Sequence, residues 1–231
     1  IKVLKTADVV LYDALVNEEL LDYINPEAEQ IFVGKRRGCY TYQQDQINEL
    51  IVARAKSSGH VVRLKGGDPF IFGRGAEEME YAAGFGIEVA VVPGISSSIA
   101  VAAYQNIPLT KRGSAESFWV ITGTTKEHKI SNDIELAAKS NATIVVLMGM
   151  SKLPQIVKLF QAEGKNDLPV AIIQRGTTSQ EKLGIGTVDT IESIVAENEL
   201  KNPAIIVLGE VVKHRQTILD IKQQYANELK G

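Results

Sequence analysis

Short β-branched runs alternate with longer amphipathic stretches along this chain, and that rhythm narrows the fold more than any other feature. VVLY, VVRL, TIVVL and AIIVL are too short to be helices, and the stretches between them are long enough for crossover helices. This is the signature of parallel α/β units. Strands are expected at 9–12, 30–33, 61–64, 89–92, 117–122, 143–147, 170–174 and 204–208. Helices are expected near 18–23, 43–57, 75–85, 96–105, 132–140, 152–163, 190–198 and 213–229. INELIVARA and IVKLFQAEG repeat apolar residues at helical spacing. EKLGIGTVDTI reads instead as a hairpin with a glycine turn, an antiparallel addition to a second sheet.

The stretch NIPLTKRGSAES breaks the rhythm with Pro, Gly and Ser and reads as a connector. It divides the chain into two α/β domains, 1–113 and 114–231, with a ligand expected at strand C-terminal ends in the crevice between them. The opening IKVLKTADVV reads as a helix end running into a strand. An α/β chain places a strand and a glycine turn ahead of such a helix, so a first β-α unit is expected to lie outside this numbering.

Composition excludes several partners. With 28 acidic against 25 basic residues, interspersed, there is no nucleic-acid footprint. No apolar run suffices to cross a bilayer and none reads as a signal peptide, so no membrane partner is expected. The single thiol, Cys39, suits a reducing cytoplasm. His60, His128 and His214 are scattered without the spacing of a metal site, and no metal is expected.

The chemistry concentrates in RLKGGDPFIFGRGAEE. Gly66 and Gly67 follow an expected strand, where backbone can press close to a ligand. Asp68 offers a carboxylate to a hydroxyl or ammonium, and Pro69 sets the exit direction. A lone GGDP reads as a tight turn; its place at a strand's C-terminal end, where α/β proteins bind ligands, shifts the balance towards a ligand site. Arg74, between two glycines, presents a planar fork suited to carboxylates. Glu77 stands three residues on and can face it across one helical turn. An exposed helix-start pair and a substrate clamp read equally well there.

VVPGISSSIA repeats the strand–turn–helix logic. Ser96 and Ser97 serve either as caps or beside amides that receive a polar ligand group. Met148 and Gly176 end two further strands, although a methionine there is usually core filler. Basic residues gather at Lys35, Arg36 and Arg37 and at Lys111 and Arg112. In an acidic chain those loops point to a polyanionic small molecule. Asp13 ends the first strand as a candidate base. GxSxG, Walker, HExxH and dinucleotide GxGxxG signatures are absent.

VVLYDALV, VGKRRG, VVRLKGGDPFIFGRGAEE, VVPGISSSIA, NIPLTKRG, LMGM, PVAIIQRGTT and PAIIVLGEVV together resemble the tetrapyrrole methylase superfamily across essentially the entire chain. Within it they are most similar to members that methylate uroporphyrinogen III. The resemblance implies two α/β domains with S-adenosylmethionine folded in the cleft, a homodimer, and a tetrapyrrole substrate. It implies methylation at ring carbons 2 and 7 to give precorrin-2, for sirohaem and cobalamin biosynthesis. Carried over by position, the cofactor and its product S-adenosylhomocysteine would touch Gly66, Gly67, Asp68, Ile71, Ser96, Ser97, Met148 and Gly176. Asp13 would accept a proton and Lys35 donate one. Arg74, Glu77 and Arg112 would hold or deprotonate the tetrapyrrole, with Met148 also against it, and the base stays open between Asp13 and Glu77. Two departures stand out. The family's GxGPGDPxLLT loop is not in this numbering, and Ala14 follows the YD where many relatives carry Arg.

Overall fold

The computed structural model describes residues 1–34 and 42–228. The chain divides into two compact units, Ile1–Ser96 and a second that begins at Ser97.

In the first unit a short helix α1 (Lys2–Lys5) leads into β1 (Val9–Tyr12). A 3-10 turn at Glu18–Tyr23 follows, its Glu19 amide donating to the Asn17 side chain, and then β2 (Glu29–Phe32). α2 (Gln44–Ser58) opens with a reciprocal capping box between Gln43 and Gln46, and β3 (Val61–Leu64) and α3 (Gly75–Gly84) complete the unit. The three strands are parallel in the order β2-β1-β3, with Val9 opposite both Glu29 and Val61. Successive residues of β1 point to opposite faces. Val9 and Leu11 bury against Ile47, Ile51 and Val52 of α2 and Ala82 of α3, while Val10 joins Leu4, Ala7 and Ile24 on the other side.

The expected strand at 89–92 does not form a ladder among the described residues. Its valines satisfy strand propensity, but a strand exists only with a neighbour, and Val92 remains 65% exposed. A groove of about 950 Å³ is lined by β3 together with Ile87, Val89 and Val91.

The second unit opens with α4 (Ser97–Tyr104) and continues through β4 (Phe118–Thr122), α5 (Asp133–Lys139), β5 (Thr143–Leu147) and α6 (Leu153–Ala162). Then come β6 (Pro169–Gln174), β7 (Lys182–Thr187), α7 (Ile191–Glu197), β8 (Ala204–Leu208) and α8 (His214–Glu228). The sheet order is β4-β5-β8-β6-β7. Only β4 and β5 pair in parallel; β8 enters antiparallel between β5 and β6, which the expectation of parallel units did not contain.

EKLGIGTVDTI is not a hairpin by itself. It supplies the single strand β7, antiparallel to β6, so the antiparallel addition stands and the glycine turn does not. Its glycines serve close packing instead. A Cβ on Gly184 would lie 2.7 Å from Leu200 Cδ1, and one on Gly186 would lie 2.5 Å from Ile194 Cδ1.

Both faces of this sheet are covered. Ile144, Val146, Ile172 and Ile206 pack with Ile156 and Phe160 of α6, whereas Val145, Ala171 and Val207 pack with Val101 and Ala102 of α4. That second contact explains why the units part at Ser96 rather than at the connector near residue 114. α4 is bound to the second sheet, and Ile107 and Ala115 of the connector bury on the same face. Among the described residues no helix is long and apolar enough to cross a membrane.

Phe160 has no exposed surface. Phe160→Ala should therefore lower the free energy of unfolding by about 3–5 kcal/mol in a denaturant titration. A loss under about 1 kcal/mol would show that α6 is not held by this contact.

Candidate functional site

The chemistry read from the first unit gathers at the C-terminal ends of β1 and β3. Asp13 directly follows β1. Its Oδ1 accepts the Leu15 amide at 3.0 Å, and its Oδ2 lies 3.3 Å from Nη2 of Arg63. Arg63, on β3, donates from Nη1 to the Leu64 carbonyl at 2.7 Å. Lys65, just beyond β3, donates to both oxygens of Glu78 at 3.0 and 2.9 Å. Gln44 of α2 adds a third hydrogen bond to this carboxylate, to Oε1 at 3.1 Å.

The Lys65 and Glu78 side chains are only 7% and 5% exposed. Burial, then the neighbouring Arg63, lowers the Lys65 pKa, while the Glu78 carboxylate opposes them. These residues were not among those singled out from the sequence. The legible signal was two cations at alternate positions, Arg63 within an otherwise apolar strand and Lys65 at its exit.

Backbone packs against backbone at the GGDP turn. A Cβ on Gly66 would lie 2.5 Å from the Leu15 carbonyl oxygen, so the turns after β1 and β3 touch directly. One on Gly94 would lie 2.2 Å from the Gly67 oxygen. Asp68 joins the same two turns, accepting the Phe70 amide at 2.8 Å and the Gly94 amide at 3.0 Å. Its carboxylate thus holds protein backbone at both oxygens. The Gly94 and Phe70 amides, in that order, draw its pKa below the usual carboxylate range.

Beyond the turn, Phe72 and Arg74 adopt left-handed backbone, with φ of 53° and 58°. Side-chain-bearing residues rarely do so, and such positions concentrate at functional sites. Gly73 and Gly75 pack on the Pro69 carbonyl, where a Cβ on either would lie 2.6 Å from the oxygen. Arg74 precedes α3 and pairs with Glu77, its Nε lying 3.0 and 3.1 Å from the two carboxylate oxygens. Glu77 raises the Arg74 pKa further. Both side chains are exposed, so the pair contributes at most about 1 kcal/mol and a competing carboxylate can displace it. Ile71 is exposed beside them.

Ser96 is buried and closes the first unit; Ser97 begins α4 and is exposed. In the second unit Met148 follows β5 with φ of 55° and is 50% exposed, so it is not core filler. Its carbonyl accepts the Thr124 hydroxyl at 3.0 Å. Gly176 follows β6 against α4, where a Cβ would meet Val101 Cγ1 at 2.4 Å. Arg112 is exposed in the turn closed by the Lys111–Ala115 bridge. Lys35, with Arg36, Arg37 and Cys39, lies outside the described residues.

The Asp68 contacts carry a pH dependence of definite sign. Its carboxyl is more acidic folded than unfolded, so its stabilisation is complete above an unfolded pKa of about 3.9 and is lost as pH falls through the lower folded value. Corrected for intrinsic rates, exchange at the Gly94 amide should accelerate on acidification in that window. Asp68→Ala should make it fast at neutral pH. Unchanged protection in that variant would assign the turn's order to something other than this carboxylate.

Known proteins resemble this chain in sequence and in fold. Residues 1–192 match the family model described as Tetrapyrrole (Corrin/Porphyrin) Methylases. The uroporphyrinogen-III C-methyltransferase of Methanocaldococcus jannaschii is 44% identical over 214 residues, covering 92% of this chain and 88% of that protein. The siroheme synthase of Nitrosomonas europaea is 43% identical over 94% of this chain, which spans about half of that protein's length, 46%. The crystal structure of uroporphyrin-III C-methyl transferase from Thermus thermophilus, complexed with S-adenyl homocysteine, superposes with a TM-score of 0.78. It is 34% identical, over 92% of this chain and 90% of that one. With the GGDP turn, the β1-end aspartate and these similarities on both sequence and fold, the chain belongs to the tetrapyrrole (corrin/porphyrin) methylases.

Proposed function

We propose that this chain is an S-adenosylmethionine-dependent C-methyltransferase that converts uroporphyrinogen III to precorrin-2 by methylation at ring carbons 2 and 7, for sirohaem or cobalamin biosynthesis. The observation that carries the reading is the 44% identity to the Methanocaldococcus jannaschii uroporphyrinogen-III C-methyltransferase, through 88% of that protein.

The residues present fit the cofactor. Gly66 and Gly67 expose peptide groups at the pinned turn, and Ile71 exposes an apolar side chain beside them. That combination suits an adenosine, with its polar rim and apolar faces. Asp68 supports the pocket by fixing the turn, and Ser96 is assigned to the same cofactor. In the second unit Ser97, Met148 and Gly176 are the positions assigned to it. The cofactor supplies an electrophilic methyl group, which an electron-rich pyrrole carbon can take without metal assistance.

The chain's own residues must then orient the macrocycle and remove a proton. Arg74 holds a substrate carboxylate in its planar fork, displacing Glu77. Arg112, on an exposed turn, takes another, and Met148 packs against the ring. Asp13 accepts the proton, which its partly exposed carboxylate can reach; Glu77 is the second candidate once released from Arg74. Lys35 is assigned the return of a proton. A cytoplasmic homodimer completes the reading, with exposed Val92 and Ile95 of the first unit as apolar surface for a second copy to cover.

Two measurements test this. Anaerobic incubation with S-adenosylmethionine and uroporphyrinogen III should add two methyl groups by mass analysis. Addition to a later corrinoid precursor alone would replace the substrate assignment. Arg74→Ala should raise KM for the tetrapyrrole about 10- to 100-fold, the worth of one charge-assisted pair, and leave S-adenosylhomocysteine affinity unchanged. Unchanged turnover at low substrate concentration would remove Arg74 from substrate binding.

A further inference from the structure

The geometry points to Arg63 as the positioning residue for Asp13, fixing the carboxylate that takes the proton; this rests on the methyl-transfer reading above.

Arg63 is held from three directions. Nη1 donates to the Leu64 carbonyl at 2.7 Å and reaches the Leu11 carbonyl at 3.4 Å, so the guanidinium bridges the ends of β3 and β1. Nη2 lies 3.3 Å from Asp13 Oδ2. Nε lies 3.4 Å from Glu78 Oε1, an ion-pair distance without hydrogen-bond geometry. A planar group hydrogen-bonded through both Nη1 and Nη2, with a side chain only 14% exposed, has little freedom to rotate away.

Charge balance gives Arg63 its direction. Glu78 is already satisfied by two bonds from Lys65 and one from Gln44. The Arg63 charge is therefore not required to neutralise Glu78, and the hydrogen bond it makes to a carboxylate goes to Asp13. Leu15 N on Oδ1 and Arg63 on Oδ2 set the plane of the Asp13 carboxylate and leave further lone pairs for a proton. When the methylated macrocycle loses its proton, the bond to hydrogen breaks, its electron pair stays in the ring, and a new O–H forms on Asp13. A carboxylate free to swing would meet that proton in only a fraction of its orientations.

The test is steady-state kinetics of the full chain with uroporphyrinogen III and S-adenosylmethionine, using Asp13→Asn, Arg63→Gln, Arg63→Lys and the double variant Asp13→Asn/Arg63→Gln. Asp13→Asn and Arg63→Gln should each lower kcat by about 100-fold or more. The tetrapyrrole KM, S-adenosylhomocysteine affinity and thermal midpoint should stay near wild type. The double variant should be no slower than the slower single one, and Arg63→Lys should recover much of the rate. Wild-type kcat in Arg63→Gln beside an inactive Asp13→Asn would overturn the positioning role and leave Asp13 as the base. Wild-type kcat in Asp13→Asn would overturn Asp13 as the base, and this inference with it. Loss of cofactor affinity or of the folded state in both Arg63 variants would make Arg63 structural and overturn the inference likewise.

Discussion

Glu78 is a carboxylate shut away from water, and much of the first unit is arranged around satisfying it. Burying an unpaired carboxylate is prohibitive, so its partners must be present whenever the unit is folded. Lys65 comes from the exit of β3, Gln44 from the first turn of α2, and Glu78 itself from the first turn of α3. One buried charge therefore ties a strand end to the starts of two helices. It also sets the register of β3. Arg63 and Lys65 face Glu78, while Val62 and Leu64 pack among Leu4, Val10 and Ile24 on the opposite side. A one-residue slip would exchange the two faces and bury the cations among apolar side chains.

Close backbone approach is the second constraint on the same region. The turns after β1 and β3 meet at Leu15 and Gly66, and the 93–94 turn meets the GGDP turn at Gly94 and Gly67. No Cβ fits at Gly66 or Gly94. Asp68 then replaces absent ladder bonds, because two amides that lack a strand partner find its carboxylate. The Asp68 side chain thereby serves as scaffolding for both turns.

The second unit reaches rigidity differently, through apolar cover on both faces of its sheet. Phe160 and the α5–α7 layer seal one face, and α4 with the connector seals the other. The strand ends bearing Met148 and Gly176 are consequently fixed by packing rather than by charge. Their left-handed neighbours, Met148 itself and Arg175 beside Gly176, mark where the chain leaves regular structure under constraint.

Strand and helix positions were largely legible in the sequence, because β-branched runs and helical spacing report burial directly. Asp13, the GGDP turn and Arg74 were legible too, since an acid, a glycine turn or an arginine at a strand end is unusual enough to read alone. The run at 89–92 misled because propensity is local, whereas a strand needs a neighbour to pair with. EKLGIGTVDTI misled because glycine marks both turns and close helix contacts, and only the packing of α7 distinguishes them. The antiparallel entry of β8 and the attachment of α4 to the second sheet depend on residues distant in sequence, so no local pattern could announce them. What the sequence by itself determined is the family, the α/β class and the chemical residue types at the strand ends. That Asp68 clasps backbone and that Arg63 is set against Asp13 was decided by the tertiary structure alone, because both contacts turn on partners that folding brings from 26 and 50 residues away.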